Sequence, residues 1–167
     1  MTAHADSEKV VEVHGAEVVK SNLLKFLQMD SKEALSFAQK NISKDVEHRN
    51  IAKDGKVMAL ESDFKGRTID IWYEDNKIDC VDFDMVYVDN PLANSLEEAK
   101  VLLSEYGVSA KWQKDSSKES EVATKSMFGK HYFTSKIESK PVYMRVITNL
   151  QENTETVSGI CVSPHKL

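Results

Sequence analysis

Consecutive apolar residues never run long in this sequence. No stretch nears the roughly 18 to 20 that a membrane-spanning helix needs, so no such helix is expected. The six glycines are scattered, and neither a P-loop nor a GxGxxG turn occurs, which disfavours a phosphate-cradling nucleotide site. No Gly-x-Ser-x-Gly elbow surrounds any serine. Two cysteines, Cys80 and Cys161, lie too far apart for a CxxC redox or zinc motif. The five histidines (His4, His14, His48, His131 and His165) include no pair three or four residues apart, so no helical metal pair exists. Excess positive charge is also missing. Lysine and arginine number 22 against 27 aspartates and glutamates, a net charge of −5, and nucleic acid is therefore not expected as a partner. Neither cofactor nor metal is called for.

A chain of 167 residues can build one domain with a substantial core. Its hydrophobic fraction of 41% and charged fraction of 29% are those of an ordinary globular protein. Residues 1–15 read as a flexible N-terminal segment, and 16–167 as a single α+β domain. Ala3-His4-Ala5 has the form of a secretory cleavage triplet without the apolar run that should precede it. A periplasmic or secreted location is slightly favoured over a cytoplasmic one. Cys80 and Cys161 suit either compartment, as a disulfide or as two buried thiols. Connectivity does not follow from the sequence.

Helical periodicity marks Ala16–Met29, where Val19, Leu23, Phe26 and Leu27 form one stripe. Asp30 with Glu33, and later Ser95 with Glu98, match the capping-box pattern at the start of two further helices. Leu96, Ala99, Leu102, Leu103 and Tyr106 supply the last helix's apolar face, and Gly107 suits its end. Between these helices the period becomes two. Turn pairs at Asp54-Gly55, Lys65-Gly66 and Asp75-Asn76, about 11 residues apart, delimit strands near 45–53, 56–64, 67–74 and 77–88. Strands near 108–113, 122–128, 131–137, 142–149 and 154–162 follow. The order ααββββ-αβββββ suggests antiparallel meander sheet packed on helices, in two helix-plus-meander halves at 16–90 and 95–163.

Ten acidic residues fall between Asp54 and Asp89 against four basic ones, a formal −6 within a chain of net −5. The rest of the sequence is close to neutral. In the fourth strand Ile78 and Cys80 share one face, whereas Val81, Phe83, Met85 and Tyr87 share the other. That exchange of apolar sets predicts a bulge near Cys80–Val81, because a strand cannot otherwise move its buried side by one residue. Asp82 and Asp84 then lie together opposite Phe83. Asp70 and Trp72 share a face of the preceding strand, with Glu74 and Asp75 flanking them.

The acidic set, which includes Asp79, could keep a sheet face hydrated, receive a basic protein, coordinate a hard cation or supply paired carboxylates for acid/base work. An aromatic anchor within it favours protein recognition. The leading expectation is a non-catalytic binding protein presenting Asp70, Trp72, Glu74, Asp75, Asp82 and Asp84 to a basic partner, such as an inhibitor or immunity-type protein. The alternative is a small apolar-ligand carrier or cone-shaped pocket enzyme, with Phe83, Tyr87, Phe128 and Tyr143 lining its cavity. His48 and His131 fall in expected strands, within reach of a cysteine or an aspartate across the sheet.

Overall fold

A computed structural model describes residues 15–50, 55–59, 67–85 and 89–167. Among them are three helices, α1 (Gly15–Leu27), α2 (Ser31–Asn41) and α3 (Leu96–Ser104). Eight strands accompany them: β1 (His48–Asn50), β2 (Gly55–Ala59), β3 (Arg67–Glu74), β4 (Lys77–Met85), β5 (Gln113–Lys114), β6 (Gly129–Ile137), β7 (Lys140–Gln151) and β8 (Thr154–Ser163). The fold is α+β. The expected N-terminal segment up to residue 14, the Lys65-Gly66 turn and Tyr87 lie outside the described residues.

Local chemistry sets the helix boundaries. The Glu33 N–H donates to the Asp30 side chain at 2.8 Å, and the Glu98 N–H to Ser95 Oγ at 3.1 Å. Each bond satisfies a donor that the first helical turn leaves unpaired. Glu98 also accepts from the Asn94 N–H at 2.8 Å, reaching one residue further back than a standard capping box. After α3, Gly107 adopts φ +88°, a left-handed conformation that suits glycine at a helix end. Helix α1 is kinked at Asn22, whose side-chain amide donates to the Val18 carbonyl at 2.8 Å.

The strands form one antiparallel sheet in the order β1-β2-β3-β4-β8-β7-β6-β5. Two meanders therefore meet at their last strands, β4 and β8. The β3–β4 turn has positive φ at both Asp75 and Asn76, as a type I′ hairpin requires, and Glu152–Asn153 repeats this between β7 and β8. The Asn76 carbonyl accepts from the Ser31 N–H at 3.1 Å, fastening the first of these turns to the start of α2.

One face of the sheet is apolar. Ile69, Ile71, Val81, Phe83, Met144, Val146, Ile160 and Val162 are buried there with Val19, Leu23 and Phe26 of α1 and Ala99 and Leu103 of α3. Phe83 meets Tyr106 edge-on with ring centroids 4.8 Å apart. Burial of this kind contributes about 25 cal/mol for each Å² of apolar surface removed from water.

Two expectations need correction. The second meander has four strands in place of five. Val122–Phe128 is not a strand, because the Ala123 and Thr124 N–H groups bond to Glu155 and to the Met127 carbonyl instead of a ladder. The residues expected to line an apolar cavity are also dispersed: Phe83 is buried under the helices, whereas Phe128 is exposed on a loop. Tyr143, opposite Ser163 in the register, lies on the sheet face turned away from Phe83.

Candidate functional site

The site rests on a one-residue irregularity in β4. From the turn, Glu74 pairs with Lys77 and Tyr73 with Ile78, but Trp72 then pairs with Cys80, leaving Asp79 as the extra residue. Without it the register would set Asp70 against Val81 and Ile69 against Asp82, on opposite faces. With it Asp70 stands directly across from Asp82, Ile71 from Val81 and Ile69 from Phe83. The bulge falls at Asp79, just ahead of its expected place at Cys80–Val81. It sends Ile78, Val81 and Phe83 to the helix-covered face, and Cys80 with Asp82 to the other. Side chains opposed in this way have Cβ atoms roughly 4.5–5.5 Å apart.

Strand β8 extends the site. Asp82 opposes Cys161 and Asp84 opposes Gly159, while on the next strand Arg145 opposes Cys161 and Ile147 opposes Gly159. Tyr132 opposes Arg145 in turn. A row of Asp70, Asp82, Cys161, Arg145 and Tyr132 thus crosses five strands on the face away from the helices. Cys80 and Cys161 are joined as a disulfide with Cα atoms 5.7 Å apart, a bridge between the two meanders at their shared seam.

A cavity of about 410 Å³ opens over this seam, lined by Asp82, Asp84, Arg145, Ile147, Phe128 and Met85, with Gly159 and Cys161 in its floor. A Cβ on Gly159 would lie 3.3 Å from Asp84 Oδ1, so the absent side chain leaves room for that carboxylate.

Burial pushes the Asp82 carboxyl up to about 7, and the charges of Asp84 and Asp70 push in the same direction. The Arg145 guanidinium and the Trp72 indole, approaching as a donor, oppose the rise without cancelling it. Asp84 is also raised, chiefly by burial, although the Met85 N–H bonds to it and favours the charged form. A carboxyl placed in this way can change its proton occupancy near neutral pH, or accept a cation that restores its charge.

Of the six residues singled out from the sequence, Asp70, Trp72, Asp82 and Asp84 share this face. Glu74 keeps the parity of Asp70 and Trp72 but sits at the turn end of β3, and Asp75 lies in the turn itself. They are exposed at the β3–β4 turn and line a separate depression of about 290 Å³ with Asp79 and His165. His131 meets neither a cysteine nor an aspartate but Glu155, at 3.1 Å. Among the described residues, no group of three or more His, Cys, Asp or Glu side chains is arranged to hold a metal ion, and no helix is long and apolar enough to cross a membrane.

Sequence reasoning missed Arg145 and the floor residues Gly159 and Cys161. Only the pairing of β4 with β8 brings them to the acidic strands, and that pairing joins positions almost 80 residues apart. No protein-family model, curated protein or solved structure matches this chain.

Proposed function

We propose that this chain is a non-catalytic binding protein whose sheet face, away from the helices, receives a basic protein partner in the manner of an inhibitor or immunity protein. The observation that carries the reading is the opposition of Asp70 and Asp82, with Asp84 beside them and Trp72 on the same face. Like charges set directly across a sheet are destabilising, and burial adds to the cost. A partner's lysine or arginine would relieve both terms, so this arrangement gains more from a cation than dispersed surface carboxylates would. Trp72 supplies apolar area beside the charges, a combination common at interface centres. Electrostatic attraction would speed encounter and make it sensitive to salt.

A second reading is favoured by the cavity over Asp82. Its size suits a small ligand, and a carboxyl titrating near 7 suits proton transfer. Native mass spectrometry of freshly purified protein separates the two: a retained small molecule supports the pocket, and a co-purifying basic protein supports the interface.

The experiment for the main reading compares resins carrying the wild type and the Asp82→Lys/Asp84→Lys variant, loaded with the same extract at low and moderate salt. A basic protein held by the wild type at low salt and lost on the variant is the expected result. Identical retained sets on both resins would remove this face from consideration.

A further inference from the structure

We infer that the Glu121–Phe128 loop is the apolar half of the same docking surface, and that it takes a protein segment in which a lysine or arginine lies beside apolar side chains. The inference rests on the basic-partner reading and adds a second contact element to it.

Among the described residues, the large apolar side chains left exposed are Val101 (63%), Val122 (68%), Met127 (63%) and Phe128 (55%). Three of these four lie within one seven-residue stretch. Exposed apolar side chains concentrated on one loop mark an interaction site more often than scattered ones do.

The loop is also firmly held. Glu121 exchanges backbone bonds with Lys130 at 2.8 Å in both directions, and the Thr124 N–H donates to the Met127 carbonyl at 2.9 Å. Thr124 Oγ1 accepts from the Met127 N–H at 3.1 Å. At the base, Glu155 Oε1 accepts from the Ala123 N–H and from Thr148 Oγ1, both at 2.8 Å, and His131 Nε2 lies 3.1 Å away. Gly129 permits this close approach, since a Cβ there would come within 2.2 Å of Thr148 Oγ1 and 2.7 Å of the Ala123 nitrogen. Fixing the backbone in advance lowers the ordering cost of binding.

Phe128 ties this patch to the charged site, because it is a wall of the cavity that Asp82 and Asp84 line. An occupant that covers Phe128 and enters the cavity meets two carboxylates against one guanidinium, that of Arg145, and a cation next to apolar groups suits this net acidic lining. Exposed Lys125 and Lys130 flank the tip, which raises an anionic bilayer as another occupant. Asp82 and Asp84 beside Phe128 would repel such a surface, and the protein segment fits better.

The test is a selection of phage-displayed random peptides on immobilised wild-type protein. Enriched peptides are then measured against Met127→Ser/Phe128→Ser, against Phe128→Ser alone and against Asp82→Asn/Asp84→Asn, with circular dichroism confirming that each variant is folded. The expected result is enrichment of Lys or Arg beside aromatic or aliphatic residues, with affinity falling at least tenfold on the loop variants and on the carboxamide variant. Loss on the carboxamide variant alone overturns the role of the loop and leaves the acidic-face reading standing. Loss on the loop variants alone overturns the acidic-face reading and the joint surface with it. No enrichment overturns the inference. So does sedimentation of the wild type, but not the loop variant, with vesicles of phosphatidylcholine and phosphatidylglycerol at 3:1.

Discussion

Asp70 and Asp82 face one another across β3 and β4, where the bulge at Asp79 brings them. Burial of Asp82, with the charges of Asp84 and then Asp70 beside it, has a consequence for stability. Asp82 binds its proton more tightly in the folded protein, up to about 7, than at its usual value of 3.8. Between these values the native state holds a proton that the unfolded chain has lost, so stability falls as pH rises. The contribution is complete below about pH 4 and is lost as pH climbs through 7. Ionised Asp82 then costs on the order of 2–4 kcal/mol. Asp82→Asn should therefore raise Tm by several degrees at pH 8 and by clearly less at pH 5, measured by thermal unfolding across that range. An equal shift at both values would show that Asp82 ionises normally.

The Cys80–Cys161 bridge closes a loop spanning 81 positions and spans the seam between the meanders. A loop of that size predicts about 4.5 kcal/mol from restricting the unfolded chain. Cys80→Ser/Cys161→Ser should lower the denaturant midpoint and steepen the slope, because the unfolded chain without the bridge is less compact. An unchanged midpoint would mean that the seam is held by its strand pairing and core alone.

Glu155 anchors the base of the exposed loop. Burial pushes its carboxyl up, but the bonds from Ala123, Thr148 and His131 outweigh that and hold it below its usual 4.5. Its contribution is thus present above pH 4.5 and is lost as pH falls through the lower native value. Glu155→Ala leaves the Ala123 N–H without its acceptor and should cost about 1–3 kcal/mol, whereas Glu155→Gln, which keeps an acceptor oxygen, should cost less. Amide hydrogen exchange at Ala123 reads the effect directly. Unchanged protection in Glu155→Ala would remove Glu155 from the anchoring role.

How far the sequence carries depends on range. Helices α1 to α3 were legible because their signals are local: a stripe at 3.6-residue spacing, and Asp30 and Ser95 three residues ahead of Glu33 and Glu98. The β3–β4 hairpin was legible for the same reason, and the switch of apolar sets in β4 showed that a bulge was needed. Its exact residue was not legible, since Asp79 is identified by cross-strand register. Four of the six candidate residues come together because parity along each strand fixes their face. Glu74 keeps that parity but sits at the far end of β3, away from the Asp82–Asp84 seam, and Asp75 lies in the turn. Arg145, Gly159 and Cys161 were beyond reach, because no local pattern specifies that β4 pairs with β8. Val122–Phe128 has the apolar content of a strand, and only the distant Glu155 shows why its backbone leaves the sheet.

Asp70, Asp82 and Asp84 are the proposed surface for a basic protein. The most direct test is the affinity of the captured partner for the wild type and for Asp82→Lys/Asp84→Lys, measured calorimetrically at two salt concentrations. Close charge pairs across interfaces contribute about 1.5–7 kcal/mol. The double reversal should therefore weaken binding by at least about tenfold, and wild-type affinity should fall with added salt. Equal affinity for both proteins, insensitive to salt, would exclude this face as the binding surface.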